Sequence, residues 1–141
     1  MKAFSADERQ NFLADLHVGV LSVAASGGRP PASVPIWYDY VDGLIRFNTG
    51  SSSRKARLIR EAGTVTLVAQ REEPPYQYVT VEGTVVDTLD PAPRDIAEAI
   101  AIRYLGDEGG RAFVASMEDS PSIVFLVRPD RWITADYSGE L

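Results

Sequence analysis

The sequence predicts a mainly β fold of the α+β class, an antiparallel barrel of about six short strands with flanking helices. Segments rich in β-branched and aromatic residues recur along the chain, and turns containing Gly, Pro or Asp separate most of them. Helical spacing of apolar residues occurs in only a few stretches. The 141 residues, 45% hydrophobic and 24% charged, fit a single folded domain covering residues 1–141.

Six or seven segments have the pattern of short strands, the last being a brief closing strand. They cover residues 18–25, 32–40, 44–48, 64–70, 77–88, 122–127 and 132–136. An Asp-Gly turn at residues 41–43 is typical of a tight hairpin. Pro35 interrupts the second segment. Because proline has no backbone N–H, we expect that segment at a sheet edge, at a bulge, or facing something other than a neighbouring strand.

Four helical segments accompany the strands. Ser5 is placed to cap a helix that runs to about Leu16, with Leu16 on its apolar face. The others cover residues 53–61, 91–105 and about 110–117. Gly63 follows the second helix as a stop signal.

Composition excludes several classes of function. The net charge of −6 argues against nucleic acid or an anionic membrane as the main partner, since either requires a basic surface. The chain has no cysteine and one histidine, His17, which rules out thiolate catalysis and thiolate or multi-histidine metal sites. No apolar run is long enough to span a bilayer and the first residues lack a signal core, so we expect a cytoplasmic protein.

Residues 47–57 are the strongest functional signal. A glycine, four hydroxyl residues and several cations gather where the pattern predicts a strand followed by a helix. Arg54, Lys55, Arg57 and Arg60 fall within seven residues of an acidic chain. Helix-start N–H groups, hydroxyls and cations together suit a phosphate group. The alternative is an ordinary capped helix with solvent-exposed cations. Neither the Walker spacing nor a GxGxxG is present.

Three stretches, taken in order, resemble the pyridoxamine 5′-phosphate oxidase-like superfamily over nearly the whole chain. They are Val34-Pro35-Ile36-Trp37-Tyr38, then Asn48-Thr49 with Ser53-Arg54-Lys55-Ala56, then Tyr78-Val79-Thr80-Val81-Glu82-Gly83. The resemblance implies a split β-barrel, a homodimer, and FMN or the deazaflavin F420 bound in a cleft between the subunits.

The same resemblance assigns roles to individual residues. It implies that the cofactor phosphate is held by Ser53, Arg54 and Lys55, with Thr49 and Asn48 beside them. It implies that the isoalloxazine ring is lined by the backbone of Val34, Pro35, Ile36 and Trp37. Tyr78 is expected to reach the cofactor from the partner subunit, and Trp132 to pack by the flavin. For the aromatic residues, plain core or interface packing is the alternative.

Departures from the oxidase itself argue against true pyridoxamine phosphate oxidase activity. Trp37 replaces a lysine near the substrate, and residues 136–141 lack the Arg/His cluster that grips the substrate phosphate. The resemblance therefore implies hydride transfer between FMN or F420 and another small, conjugated or aromatic organic molecule, with no side chain assigned as catalytic. The sequence does not distinguish FMN from F420, since Arg57 and Arg60 could engage the acidic tail of F420.

Two other functions compete with the oxidoreductase. One is a non-enzymatic flavin- or tetrapyrrole-binding carrier or sensor on the same barrel, and the other is a structural dimer.

Overall fold

Seven strands and three helices make up the fold in the computed structural model, which describes residues 1–140. The helices are α1 (Ala6–Ala14), α2 (Arg54–Ala62) and α3 (Arg94–Ser116). The strands are β1 (Gly19–Val23), β2 (Ala32–Ile36), β3 (Asp39–Val41), β4 (Leu44–Gly50), β5 (Thr64–Arg71), β6 (Gln77–Leu89) and β7 (Ser122–Asp136). None of the helices within residues 1–140 has the length and apolar character needed to cross a bilayer.

All seven strands form one antiparallel sheet in the order β2-β1-β5-β6-β7-β4-β3. Its two edge strands, β2 and β3, are consecutive in the chain and only Trp37 and Tyr38 separate them. Two residues cannot cross a flat seven-stranded sheet, because strands lie about 4.8 Å apart. The sheet therefore curls until its edges meet, which gives the predicted antiparallel split barrel.

The inner face of the barrel holds the core. Its largest fully buried side chains include Tyr38, Phe47 and Phe125, packed with Ile45 and Leu67. Burying each such side chain contributes about 1.5–3 kcal/mol relative to leaving it in water. Helices α1 and α2 add buried residues to the same core. The core thus fixes the positions of β4 and of the first turn of α2, where the phosphate-binding signal lies.

Pro35 lies in an edge strand, as predicted. β2 has β1 as its one neighbour, with Pro35 opposite Val20. An edge strand has one side without a ladder, so the missing N–H of proline is tolerated there.

The prediction of one continuous strand over residues 32–40 is wrong. It breaks at Trp37 and Tyr38 into β2 and β3. The hydroxyl of Tyr104, on α3, accepts a hydrogen bond from the Tyr38 N–H at 3.1 Å and donates to the His17 carbonyl at 2.6 Å. A side chain thus satisfies the backbone where strand pairing stops, and local sequence carries no sign of it.

The two predicted strands at 122–127 and 132–136 are instead one strand, β7. Pro129 pairs with Gly83 and Arg131 with Glu82, so Asp130 is the additional residue of a β-bulge. A Cβ at Gly83 would lie 2.8 Å from the Arg128 carbonyl oxygen, so the glycine permits this close approach. The bulge lets the chain pass Pro129 without leaving the sheet.

The helix ends agree with the predicted signals, with one correction. Ser5 and Glu8 form a capping box at the start of α1. That helix ends at Ala14, so Leu16 is 59% exposed rather than on an apolar helix face. Gly63 ends α2 with a φ of 71°. The two predicted helices at 91–105 and 110–117 are the halves of α3, which Gly106 interrupts with a φ of 77°.

Candidate functional site

A cleft of about 430 Å³ lies between the edge strand β2, the start of α2 and the long helix α3. We call it the Lys55 cleft. Its lining residues are Val18, Pro35, Ile36, Trp37, Asn48, Lys55, Ala97, Ile100, Ala101, Phe113 and Val114. Five of the residues predicted from the sequence to bind a cofactor are therefore together in one concave space.

Lys55 is the charged residue of this cleft. It is the second residue of α2 and is half-buried, and this burial lowers the pKa of its ammonium group. No carboxylate of residues 1–140 forms an ion pair with it. A desolvated cation without a counter-charge is unfavourable by itself and favours an anion in the cleft.

Aromatic side chains form one wall of the cleft. The Trp37 ring stacks on the Tyr104 ring with centroids 4.9 Å apart and planes 8° apart, and Phe113 lies 5.4 Å from Trp37. Tyr104 does not itself line the cleft; its ring supports Trp37, and its hydroxyl is engaged at the break between β2 and β3. Val34 packs against the barrel core rather than lining the cleft.

The hydroxyl of Ser53 serves as the N-cap of α2. It accepts a hydrogen bond from the Ala56 N–H at 3.1 Å and donates to the Gly50 carbonyl at 2.8 Å. In this structure the Ser53 hydroxyl therefore acts as an ordinary helix cap, which is the alternative to phosphate binding that the sequence left open. Arg54, next in the chain, is exposed and does not line the Lys55 cleft.

The four cations of α2 do not converge. Arg57 and Arg60 face a separate concavity of about 420 Å³ that they share with Ser51, Ser52 and Ser53. Each also has an acidic neighbour, Glu61 at 3.4 Å from Arg57 and Asp90 at 3.2 Å from Arg60. Within the described chain, Lys55 is thus the cation of this group that meets the aromatic wall.

A second cleft, of about 390 Å³, adjoins the first. We call it the Met117 cleft, and its lining residues are Asn48, Thr49, Gly50, Pro91, Ala92, Arg94, Ala97, Phe113, Val114, Met117, Glu118, Ser120, Pro121 and Ser122. Asn48 lines both clefts, and its Oδ1 is buried without a hydrogen-bond partner in residues 1–140. Thr49, predicted beside the phosphate, is buried here. Sequence reasoning missed this cleft because its walls come from segments far apart in the chain.

Tyr78 and Trp132 lie away from the Lys55 cleft of their own chain. Trp132 pairs with Val81 on the inner side of the sheet and packs against Tyr40 at 6.2 Å, with the Arg9 guanidinium 4.8 Å above its ring. Tyr78 alternates with the buried Val79, which puts it on the outer side. Their proposed contacts with a cofactor stay predictions, and for Tyr78 that contact was expected from a second subunit.

His17 is packed rather than presented to either cleft. Its ring stacks on Phe12 with centroids 4.3 Å apart, and burial lowers the pKa of the imidazole, which favours the neutral form. Among residues 1–140, no group of three or more His, Asp or Glu side chains is placed to hold a metal ion.

Solved structures share this fold. A conserved hypothetical protein from Mycobacterium tuberculosis is 22% identical with a TM-score of 0.78, over 95% of this chain and 86% of that one. A structure named F420 reductase is 21% identical with a TM-score of 0.69, over 88% and 94%. A FAD-binding protein from Mesorhizobium loti is 20% identical with a TM-score of 0.64, over 94% and 93%. At these identities the similarity establishes the fold.

Sequence comparison establishes the family. No curated protein matches the chain significantly. The family model described as pyridoxamine 5′-phosphate oxidase matches residues 5–136, which is nearly the whole chain. The chain therefore belongs to the pyridoxamine 5′-phosphate oxidase family.

Proposed function

We propose that the protein is a flavin- or deazaflavin-dependent oxidoreductase that transfers hydride between FMN or F420 and a small conjugated or aromatic molecule. The observation that carries the proposal is Lys55, a half-buried cation without a carboxylate partner in residues 1–140, which lines the same cleft as Trp37 and Pro35. Family membership supports it. The names F420 reductase and FAD-binding protein, which belong to two similar structures, point to the same class of cofactor.

The Lys55 cleft suits a molecule with a phosphate at one end and a flat ring at the other. A phosphate supplies the counter-charge that Lys55 lacks, and a charge-assisted hydrogen bond in a partly desolvated place is stronger than one in water. The exposed edge of β2 at Pro35 and the aromatic wall at Trp37 offer flat surfaces for a ring.

In this proposal the cofactor supplies the hydride chemistry, and the chain binds and orients it. Lys55 holds the phosphate end. Trp37 and Phe113 exclude water from the ring end, and the capped start of α2 fixes Lys55 relative to β4. No side chain is assigned a catalytic role.

We further propose a homodimer in which the partner subunit supplies its Tyr78, and a cytoplasmic location. The outer face of the sheet supports a dimer. Register places Val20 beside Val68, Val68 beside Thr80, and Thr80 beside Ile133 in one row across four strands. Val20 is 38% and Ile133 40% exposed. A mainly apolar, partly exposed row on a sheet face is typical of a surface that another protein covers.

Cofactor titration tests the proposal. Purified protein is titrated with FMN, followed by quenching of flavin fluorescence, and with F420 in parallel. We expect one cofactor to bind stoichiometrically, and Lys55→Met to weaken that binding about tenfold or more, because one charged hydrogen bond is worth about 1.5–3 kcal/mol. Lys2→Met is the matched control, since Lys2 is the other lysine of the chain, is exposed and lies outside both clefts.

The outcomes separate the competing functions. If neither cofactor binds, the oxidoreductase proposal is wrong. If Lys2→Met and Lys55→Met weaken binding equally, the Lys55 cleft is not the phosphate site. A carrier or sensor would retain its ligand without turnover, so the protein is mixed with an excess of both the reduced cofactor, as electron donor, and an organic acceptor. Reduction of more than one acceptor per chain, beyond the reaction without protein, supports an enzyme. Loss of F420 affinity in Arg57→Ala and Arg60→Ala would favour F420 over FMN.

A further inference from the structure

The Met117 cleft is mainly apolar and adjoins the Lys55 cleft. Asn48, Ala97, Phe113 and Val114 line both, so these residues form a wall that the two spaces share. A molecule in one cleft therefore contacts, or comes close to, a molecule in the other. The volume of about 390 Å³ is in the range of small-molecule sites.

Every charge at the Met117 cleft has an opposite charge beside it. Arg94 contacts Glu118 at 2.8 Å and Glu98 at 2.9 Å, and Glu98 also accepts from Arg111 at 3.0 Å. The pair of Glu98 and Arg111 links the two halves of α3, and the pair of Arg94 and Glu118 links its start to the residues that follow it. In contrast to Lys55, no cation of the described chain is left at this cleft to attract an anion.

The second half of α3 and the residue that follows it leave two large apolar side chains partly exposed. Gly106 interrupts the helix, and Gly110 then packs so closely on Ile102 that a Cβ would lie 2.6 Å from its backbone nitrogen. This contact fixes the direction of the second half. Phe113 is 43% and Met117 47% exposed, and both line the cleft.

We propose that the Met117 cleft binds the substrate, and that this substrate is an uncharged, largely apolar molecule held against Phe113 and Met117. Its role as a redox substrate rests on the proposed function, since the shared wall puts it next to a cofactor in the Lys55 cleft. The cleft has no unpaired charge to replace the hydration of an ionic group, so an anionic analogue is excluded by desolvation.

Two probes of one scaffold test the charge selectivity. N-phenyl-1-naphthylamine is neutral, 1-anilinonaphthalene-8-sulfonate carries a sulfonate, and both become fluorescent in apolar sites. Binding is measured in protein saturated with cofactor and again in Lys55→Met, so that an ion pair between the sulfonate and Lys55 does not contribute to the measured affinity. We expect the neutral probe to bind about tenfold more tightly than its sulfonate in both. Equal binding, or tighter binding of the sulfonate, would overturn the proposal.

A filled cleft tests the location. Ala92 lines the Met117 cleft and not the Lys55 cleft, so Ala92→Trp should fill the space and weaken the neutral probe about tenfold or more. Ala99→Trp is the matched control because Ala99 is exposed and lines neither cleft. Cofactor affinity should be unchanged in both variants. Unchanged probe affinity in Ala92→Trp would show that the probe binds elsewhere, and the proposal would fail.

A charge variant tests the neutrality argument separately. Glu118→Gln removes one partner of Arg94, so affinity for the sulfonate should rise about threefold or more relative to the neutral probe. No change in that ratio would contradict the argument. Both probe experiments can be read even if neither FMN nor F420 binds, so failure of the proposed function is distinguishable from failure of this inference.

Discussion

Lys55 differs from the other cations of its helix in its surroundings rather than in its sequence position. Arg57 and Arg60 each have a carboxylate within 4 Å, whereas no carboxylate in residues 1–140 pairs with Lys55. Burial lowers the pKa of its ammonium group, so the fold holds this charge at a cost. A charge kept in a cleft against its own desolvation is typical of a functional site.

The lowered pKa predicts how anion binding depends on pH. An anion in the Lys55 cleft stabilises the ammonium and raises its pKa again, so affinity is complete below the pKa of the free protein. As pH rises through that pKa toward the pKa of the complex, affinity is lost. We expect the cofactor affinity of the wild type to fall, relative to that of Lys55→Arg, as pH rises from neutral toward the ordinary lysine pKa of 10.5, since the lowered pKa of Lys55 moves its titration into this range and arginine stays protonated there.

The ratio of the cofactor affinities of the two proteins does not depend on the titration of the cofactor itself, because that titration affects both affinities equally. A ratio that stays constant across this range would mean that Lys55 does not carry its charge next to the bound anion.

The sequence identified Ser53 and Lys55 as candidate site residues, but it could not assign a role to each of them. A serine before a helix and a lysine in its first turn suit both a phosphate site and an ordinary cap. The structure separates the two readings, since the Ser53 hydroxyl caps α2 while Lys55 lines a cleft. That distinction depends on α3, which lies about 40 residues further along the chain.

At the level of elements, Tyr104 connects α3 to the break between β2 and β3. Its hydroxyl accepts from the Tyr38 N–H and donates to the His17 carbonyl, while its ring stacks on Trp37. Tyr104→Phe keeps the ring and leaves both backbone groups without this partner. We expect a loss of about 1–3 kcal/mol in the free energy of unfolding, measured by urea denaturation.

Tyr76→Phe is the matched control, because Tyr76 is exposed and its hydroxyl makes no hydrogen bond in the described part of the chain. It should change stability by less than about 0.5 kcal/mol. If Tyr104→Phe is equally mild, water replaces the hydroxyl and the backbone at the break between β2 and β3 does not depend on α3.

Elements were predictable where their signals are local. Ser5 and Gly63 mark helix ends that the structure reproduces. The points where strands break or continue were not predictable, because they depend on distant residues. Tyr104 satisfies the backbone where β2 ends, and Gly83 lets β7 continue past Pro129. The additional residue Asp130 also shifts the alternation of β7 by one position, from Val127 on the inner face before it to Trp132 after it, so periodicity alone does not indicate one continuous strand.

For the whole molecule, the proposed dimer makes Lys55 and Tyr78 parts of one site from two chains. Lys55→Met and Tyr78→Ala should each bind cofactor weakly as pure proteins. In a heterodimer of the two, one site has both residues intact and the other has neither. With random mixing about half of the dimers are heterodimers, so we expect about a quarter of the sites to regain wild-type affinity, measured by cofactor titration after unfolding and refolding the mixture.

Substitutions inside and outside the outer row of the sheet supply the control. Val20→Glu in both chains places a charge in the row of Val20, Val68, Thr80 and Ile133, so it should prevent the dimer and abolish the recovery, with a monomer seen by sedimentation. Val41→Glu changes a valine that is 40% exposed on the edge strand β3, outside that row, and should leave the recovery intact. Absence of recovery in a mixture that still sediments as a dimer would mean that Tyr78 acts within its own chain or not at all, and that the site is not shared.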